Sequence, residues 1–261
     1  MTRRSSLRPC ALAATLWVAV HCCASAASFA ATPVADAFVA TGPTGNLEQN
    51  NYGGGGALVI AAPGLTNGEF QTVMRFNLSG AFNAFNAQYG AGQWSVQTVS
   101  LQLTSSAHGN AIYNAVAAGA FNISLMLNNS WVEGTGNASN PTTDGVSYST
   151  LLSTYVSAGD QNLGTGNFPG GTAGAHTYSL NLSPGLVSDI LSGGDASLRL
   201  FAADTAISYL FSSSASSPAS TEPQLIVTAV PEPGSLALLG LAAVTLLRRP
   251  TKRTRGNRWS L

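Results

Sequence analysis

The chain has 261 residues, a formal net charge of zero and only 8% charged residues. Its basic residues gather at the two ends, so that residues 34–228 contain two arginines against ten carboxylates and carry a charge of about −8. A domain this acidic cannot neutralise a run of phosphates, which argues against nucleic acid as a partner, and it disfavours docking on anionic lipid.

Residues 1–30 are typical of a secretory signal peptide. Three arginines precede an apolar stretch at residues 11–20, and small residues follow it. The apolar stretch is not amphipathic, which argues against a helix that belongs to the fold. Signal peptidase needs small side chains beside the bond that it cuts, so we predict cleavage after Ala26 or after Ala30. All three cysteines lie in this removable segment, and the mature domain is therefore expected to hold neither a disulfide nor a thiolate metal site.

Residues 31–229 are predicted to form one all-β domain. Short apolar or alternating runs are separated by clusters of Gly, Asn, Ser and Pro, which is the pattern of strands joined by turns. The predicted strands span residues 35–40, 57–61, 70–78, 94–104, 119–127, 177–182, 196–203, 206–211 and 223–229. Alternation in the fourth of them slips phase near Thr98, which predicts a β-bulge there. The expected architecture is a β-sandwich.

Only two segments favour helix. Residues 186–191 follow Ser183, a suitable N-cap, and Pro184, which fits the first helical position. Residues 147–156 are the other helix candidate.

Three glycine-containing stretches are predicted to be irregular. The glycine run at residues 53–56 has no Lys after it, so it is interpreted as an inter-strand turn rather than as a phosphate loop. Residues 83–92 and 137–147 are rich in Ala, Asn and Gly and are expected to be loop insertions.

Seven short motifs follow one another along the domain. They are ADAFV at 35–39, NYG at 51–53, RFNLS at 75–79, VSLQL at 99–103, SWVEGTG at 130–136, SLRL at 197–200 and EPQLIV at 222–227. In this order they resemble the DNRLRE domain, a jelly-roll-like β-sandwich grouped with carbohydrate-binding modules and found in bacterial and archaeal surface proteins. The resemblance implies a jelly-roll-like fold and a surface role.

The C-terminal segment, residues 230–261, has three parts in order. Pro231, Glu232 and Pro233 are followed by an apolar run and then by a basic cluster that begins at Arg248. As a helix, residues 234–247 would reach about 21 Å, against about 30 Å of hydrocarbon in a bilayer. A core helix is not usually bounded by prolines on one side and a basic cluster on the other, so this segment is not expected to belong to the core. Basic residues tend to stay on the cytoplasmic side of a membrane, and their presence at both ends of the chain predicts that the domain between them lies outside.

This tail resembles the PEP-CTERM sorting signal of bacteria, with Pro231, Glu232 and Pro233 as the motif. The resemblance implies transient anchoring in the inner membrane through residues 234–247 and cutting near the motif by an exosortase. Release to the cell surface or to an exopolysaccharide matrix would follow.

No residue of the domain is assigned a catalytic role. Its histidines, His108 and His176, lie in glycine-rich segments, and no serine sits in a G-x-S-x-G elbow. Glu69, Glu133 and several aspartates could supply the carboxylate pair of a glycosidase, but acidic residues also keep such a domain soluble. We therefore expect a protein that is not an enzyme.

Two kinds of binding site remain open. Asp36, Asn51 and Asp204 are candidate ligands of a structural calcium ion, the one cofactor considered, because Ca²⁺ takes carboxylate and amide oxygens. Asx turns are the alternative role for these residues. The aromatic residues available for a sugar platform are Trp94, Trp131, Tyr52, Tyr113 and Tyr148. Trp131 is expected to be a core anchor instead.

Together these features predict an exported, non-catalytic protein of the cell surface or extracellular matrix. Its expected partners are an exosortase-type processing enzyme and extracellular polysaccharide. The alternatives are a lectin-like module that binds a specific polysaccharide and, from another class, a carbohydrate-active hydrolase.

Overall fold

The computed structural model describes residues 25–105, 117–170, 174–216 and 218–232, and eleven strands lie within these ranges. They are β1 (Ala27–Ala31), β2 (Pro33–Ala40), β3 (Ala57–Ala61), β4 (Phe70–Asn77), β5 (Trp94–Ser105), β6 (Gly119–Met126), β7 (Gln161–Phe168), β8 (Gly174–Leu180), β9 (Asp195–Ala202), β10 (Ser208–Ser212) and β11 (Gln224–Pro231). Three helices accompany them: α1 (Ser79–Tyr89), α2 (Tyr148–Thr150), which continues as a π-helical turn (Leu151–Tyr155), and α3 (Pro184–Ser192). The predicted all-β fold is confirmed.

The strands form one large antiparallel sheet that folds around a common core. Its hydrogen-bonded order is β1-β11-β5-β10-β3-β4-β9-β6-β7, while β2 pairs with β4 and β8 pairs with β5. The main core takes side chains from both halves of this order, among them Leu101 of β5, Phe121 of β6 and Leu198 of β9. This arrangement agrees with a β-sandwich.

Strand β5 shows how the sequence pattern produces this packing. Val99, Leu101 and Leu103 are buried, whereas the residues between them are half-buried, as alternation requires. Each fully buried side chain of this kind contributes roughly 1.5–3 kcal/mol. Thr98 pairs with Thr228, but the next pair along is Val96 with Ala229, so one residue of β5 is extra. The predicted bulge near Thr98 is therefore confirmed.

Helix α1 corrects one prediction. Residues 83–92 are not a loop insertion, because α1 continues through them to Tyr89. Ala81 and Phe85 lie four positions apart on its inner face and are buried, and the Phe85 ring packs 5.0 Å from the Trp94 ring. The composition of the segment was typical of a loop, but the spacing of its apolar residues favours a helix.

The other predicted irregular and helical segments agree with the structure. In α3, the Ser183 side chain accepts a hydrogen bond from the Leu186 amide, and Gly193 ends the helix in the left-handed conformation at φ 67°. Residues 137–147 are irregular, and residues 53–55 form a single 3₁₀ turn. A Cβ at Gly53 would overlap the Glu133 carbonyl, so the turn requires glycine at that position.

Two strands were missed. β7 is rich in Gly and Asn, and β1 lies mostly within the segment predicted to be the signal peptide. In addition, β11 continues past residue 229 through Val230 and Pro231. In the part of the chain that the structure describes, no helix is long and apolar enough to cross a membrane. The predicted hydrophobic segment at 234–247 and residues 1–24 of the predicted signal peptide lie outside that part.

Candidate functional site

The sorting motif begins inside the sheet. β11 pairs with β5 as far as Val230 opposite Ser95 and Pro231 opposite Trp94. The Glu232 amide then donates a hydrogen bond of 2.9 Å to the Gln93 carbonyl oxygen. Pro233 lies outside the described residues. No spacer therefore separates the folded domain from the first two residues of the motif.

Strand β1 lies on the other side of β11. The register runs antiparallel from Ala27 opposite Ala229 to Ala31 opposite Leu225. The chain therefore enters the sheet at the same end at which β11 leaves it. Of the two predicted signal-cleavage positions, Ala26 directly precedes β1 and Ala30 lies within it.

Side chains reinforce this edge. The Tyr89 hydroxyl at the end of α1 lies 2.7 Å from the Ser25 carbonyl oxygen and 3.2 Å from the Ala229 carbonyl oxygen. The hydroxyls of Ser28 and Thr228 are 2.8 Å apart across the two strands. These contacts hold β1, β11 and α1 together, and we call this group the terminus edge.

The first calcium candidate, Asp36, is a buried carboxyl on β2. Its Oδ2 accepts a hydrogen bond of 2.6 Å from the Ser214 amide, and its own amide donates to Glu133 Oε1 at 3.2 Å. The pKa of Asp36 is raised to about 6, mainly by burial and to a smaller extent by the nearby carboxylates of Glu133 and Glu222, while the hydrogen bond from Ser214 lowers it. Burial also raises the pKa of Glu133.

The second candidate, Asn51, connects the loop after β6 to the fold. Its Nδ2 donates to the carbonyl oxygens of Glu133, at 2.5 Å, and Val146, at 2.8 Å. Its Oδ1 accepts from the amides of Gly53, at 3.2 Å, and Gly136, at 3.1 Å. The fully buried Asn51 amide group is thus used by the protein itself.

The third candidate, Asp204, is exposed in the turn between β9 and β10. Its Oδ2 accepts a hydrogen bond of 2.6 Å from the Ala120 amide. The structure brings Asp36 and Asn51 to a shared neighbour, Glu133, whereas Asp204 contacts the start of β6. Among the described residues no group of three or more His, Cys, Asp or Glu is placed to hold a metal ion. The calcium site stays a prediction.

Most of the aromatic candidates for a sugar platform lie in the core. Trp94 is 3% exposed, Trp131 is 1% exposed and Tyr52 is 5% exposed. The Trp131 Nε1 donates to the Ser197 hydroxyl at 2.9 Å, which confirms its role as a core anchor. Tyr113 lies outside the described residues, and Tyr148 is half-buried.

Of the two histidines considered for catalysis, the structure describes one. His108 lies outside the described residues. His176, on β8, packs edge-to-face against Phe168 with ring centroids 5.0 Å apart. The expected lack of a catalytic site stays a prediction.

A further surface, which the sequence analysis did not predict, lies on β6, β7 and β9. Its members alternate with core residues and are exposed or half-buried on the other side of the sheet. We call them the open face: Asn122, Ser124, Thr165, Arg199 and Phe201. The Arg199 guanidinium lies 4.4 Å from the centroid of the Phe201 ring.

A chain of polar contacts fixes Arg199 on this face. Its Nε donates to Gln71 Oε1 at 2.7 Å, and Gln71 Nε2 donates to Glu69 Oε1 at 2.6 Å. The Tyr148 hydroxyl donates to Glu69 Oε2 at 2.7 Å. Burial lowers the pKa of Arg199, and Glu69 opposes that effect. The alternation of Arg199 and Phe201 with Leu198 and Leu200 is the sequence signal that could have identified this face.

Comparison with known proteins identifies the tail. The PEP-CTERM protein-sorting motif matches residues 229–253, so the match begins within β11. No curated protein matches the chain. The motif implies an exported protein that an exosortase sorts to the cell surface, and the prediction that this tail is a PEP-CTERM sorting signal is thereby confirmed.

Proposed function

We propose that this chain, which carries a motif for export and exosortase sorting, is a non-catalytic component of the cell surface or extracellular matrix. The observation that carries the proposal is the continuity of the motif with β11. Cutting beyond Glu232 would remove the tail and leave every described strand intact. The product would be a folded β-rich domain, which we take to be DNRLRE-like, released from its anchor.

The use of the carboxylates supports a non-catalytic role. Asp36 is 1% exposed and accepts a hydrogen bond from Ser214, and Glu133 accepts one from Asp36. Glu69 is bound by Gln71 and Tyr148. A glycosidase needs two carboxylates that face a bound sugar. In this domain these side chains hold the protein's own backbone and side chains in place.

The test compares the location of two chains in a host that contains the sorting enzyme. One is the full chain, and the other stops after Glu232 and so keeps every described residue. We expect the full chain in the surface or matrix fraction and the shortened chain in the periplasm. Equal distribution of both chains would contradict the proposal.

A second candidate function, sugar binding, is favoured by the open face. Residues 34–228 contain two basic residues, and Arg75 lies over Trp131, with its Nη1 donating to the carbonyl oxygens of Asn129 and Trp131. Arg199 is the other of these two residues, and it lies half-buried on the open face, beside the amide of Asn122 and the hydroxyl of Ser124. Side chains with guanidinium, amide or hydroxyl groups can form hydrogen bonds with the hydroxyl and carboxylate groups of sugars.

A glycan array probed with the mature protein tests this second function. Replacing Arg199 with Ala should lower binding at least tenfold, whereas Thr177→Ala, an exposed change on β8, should leave it unchanged. Equal binding by both variants would show that the open face is not the sugar-binding site. Turnover of any polysaccharide, lost on a single carboxylate change, would contradict the non-catalytic proposal.

A further inference from the structure

We propose that the terminus edge fixes both processing sites of the chain. Signal peptidase cuts between Ala26 and Ala27, and the sorting protease cuts at or beyond the bond that follows Glu232. This inference rests on the proposed function, because it requires that the chain is exported and processed.

The N-terminal limit follows from the pairing of β1. Cleavage after Ala30 would remove four of the five residues of β1. Strand β11 would then lose its neighbour from Ile226 to Ala229 and expose a row of unpaired backbone groups at a sheet edge. Cleavage after Ala26 leaves β1 whole and removes the hydrogen bond from Tyr89 to Ser25, while the contact of Tyr89 with the Ala229 carbonyl oxygen remains.

Side-chain packing supports the same limit. Phe29 packs against the main core and also against α1, so closely that a Cβ at Gly80 would lie 2.7 Å from Phe29 Cζ. Ala31 is buried, and Ala27 also packs against the core. A segment with this alternating inward face belongs to the folded domain rather than to a removable leader.

The C-terminal limit follows from the pairing of β11 with β5. Val230 and Pro231 are in register with Ser95 and Trp94, and the Glu232 amide is bonded to Gln93. A protease must hold its substrate extended and accessible on both sides of the scissile bond. The nearer the cut lies to β11, the more of this paired end must leave the sheet, and a cut before Glu232 would also remove part of the paired end from the product.

The antiparallel register places the two cuts at one end of the domain. Ala27 and Ala229 are directly opposite each other, so the leader and the tail both depart from that end. Ser25 and Glu232, the described residues nearest to the two hydrophobic segments, therefore lie at the same end of the domain. Each cut is a hydrolysis in which one water supplies a hydroxyl to the new carboxylate and a hydrogen to the new amine.

The N-terminal test uses the full chain in an exporting host, with two matched variants. Ala26 and Ala30 are both exposed, so leucine at either position is sterically tolerated. Because signal peptidase needs a small residue before the cut, Ala26→Leu should accumulate uncut precursor, and Ala30→Leu should be processed as the wild type is. Peptide mapping of the wild type should find Ala27 as the first residue.

Four results would overturn the inference. An exported chain that begins at Ala31, or a block by Ala30→Leu but not by Ala26→Leu, would overturn the N-terminal limit while leaving the proposed function in place. A surface form whose last residue precedes Glu232 would overturn the C-terminal limit in the same way. An uncut chain in the cytosol would overturn the proposed function and this inference with it.

Discussion

The loop after β6 and the terminus edge are held in place by different means. Residues 127–147 lack helix and strand, and polar side chains connect them to the fold, with the buried Asn51 and the half-buried Arg75 bonded to their carbonyl groups. The terminus edge is held mainly by the backbone register of β1, β11 and β5. An irregular segment needs specific side chains to satisfy its backbone, whereas a paired strand tolerates many side chains but not the loss of its length.

The loop should be the more sensitive region to a single substitution. Replacing Asn51 with Ala leaves the Glu133 and Val146 carbonyl oxygens and the Gly53 and Gly136 amides without this partner in a buried site. We expect a loss of about 3–5 kcal/mol in the free energy of unfolding, measured by urea denaturation.

The matched control for this change is Asn83→Ala on the exposed side of α1, which should shift stability by no more than about 0.5 kcal/mol. If both changes had the same effect, Asn51 would not hold the loop.

Stability should depend on pH through Asp36 of β2, whose amide donates to Glu133 in this loop. Its folded pKa of about 6 exceeds the value of about 3.9 for an unfolded Asp, so the folded state binds more protons between these values. Stability should therefore fall as the pH rises from about 4 to 6, by roughly 2–3 kcal/mol.

Asp36→Asn removes the titrating group and keeps an oxygen that can accept from Ser214. Urea denaturation at several pH values should show a flatter dependence for this variant. A smaller slope should remain, because burial also raises the pKa of Asp189 to about 6. A variant with the full wild-type slope would show that Asp36 is not the source.

The terminus edge should respond less to side-chain changes. Phe29→Ala removes a half-buried ring that packs against Gly80, and we expect a loss of about 1–2 kcal/mol in the free energy of unfolding. Ser28→Ala, on the exposed side of β1, should cost less than about 0.5 kcal/mol. Thermal unfolding monitored by circular dichroism compares the two, and an equal loss would mean that β1 does not pack on α1.

The smallest effect is expected at Tyr148, whose hydroxyl donates to Glu69 in the network that reaches Arg199. Tyr148→Phe removes the hydrogen bond to Glu69 and should cost about 0.5–1 kcal/mol. Tyr155→Phe on the following turn serves as the control and should change stability less. If Tyr148→Phe is neutral, the Glu69 contact does not contribute to the fold.

Much of the fold could be predicted because its signals are local. Alternation identified β5 and its bulge, and Ser183 with Pro184 identified α3. α1 was mistaken for a loop because composition was given more weight than the four-residue spacing of Ala81 and Phe85. β7 lacks apolar alternation strong enough to stand out, and its pairing with β6 decides its conformation.

The candidate sites were less predictable because they depend on contacts between distant segments. Asn51 was considered as a calcium ligand from its chemistry, but its partners lie more than 80 residues away in the loop after β6. The network from Arg199 through Gln71 to Glu69 joins two distant segments. The motif at Pro231 was evident from the sequence, whereas its pairing with Trp94 required the structure.

We expect the β-rich domain to be exported and delivered to the surface after loss of both ends. The most direct measurement is the intact mass of the natively expressed protein in each cell fraction. We expect a surface or matrix form that lacks residues 1–26 and the tail beyond the motif. Full-length protein confined to the cytosol would contradict this account.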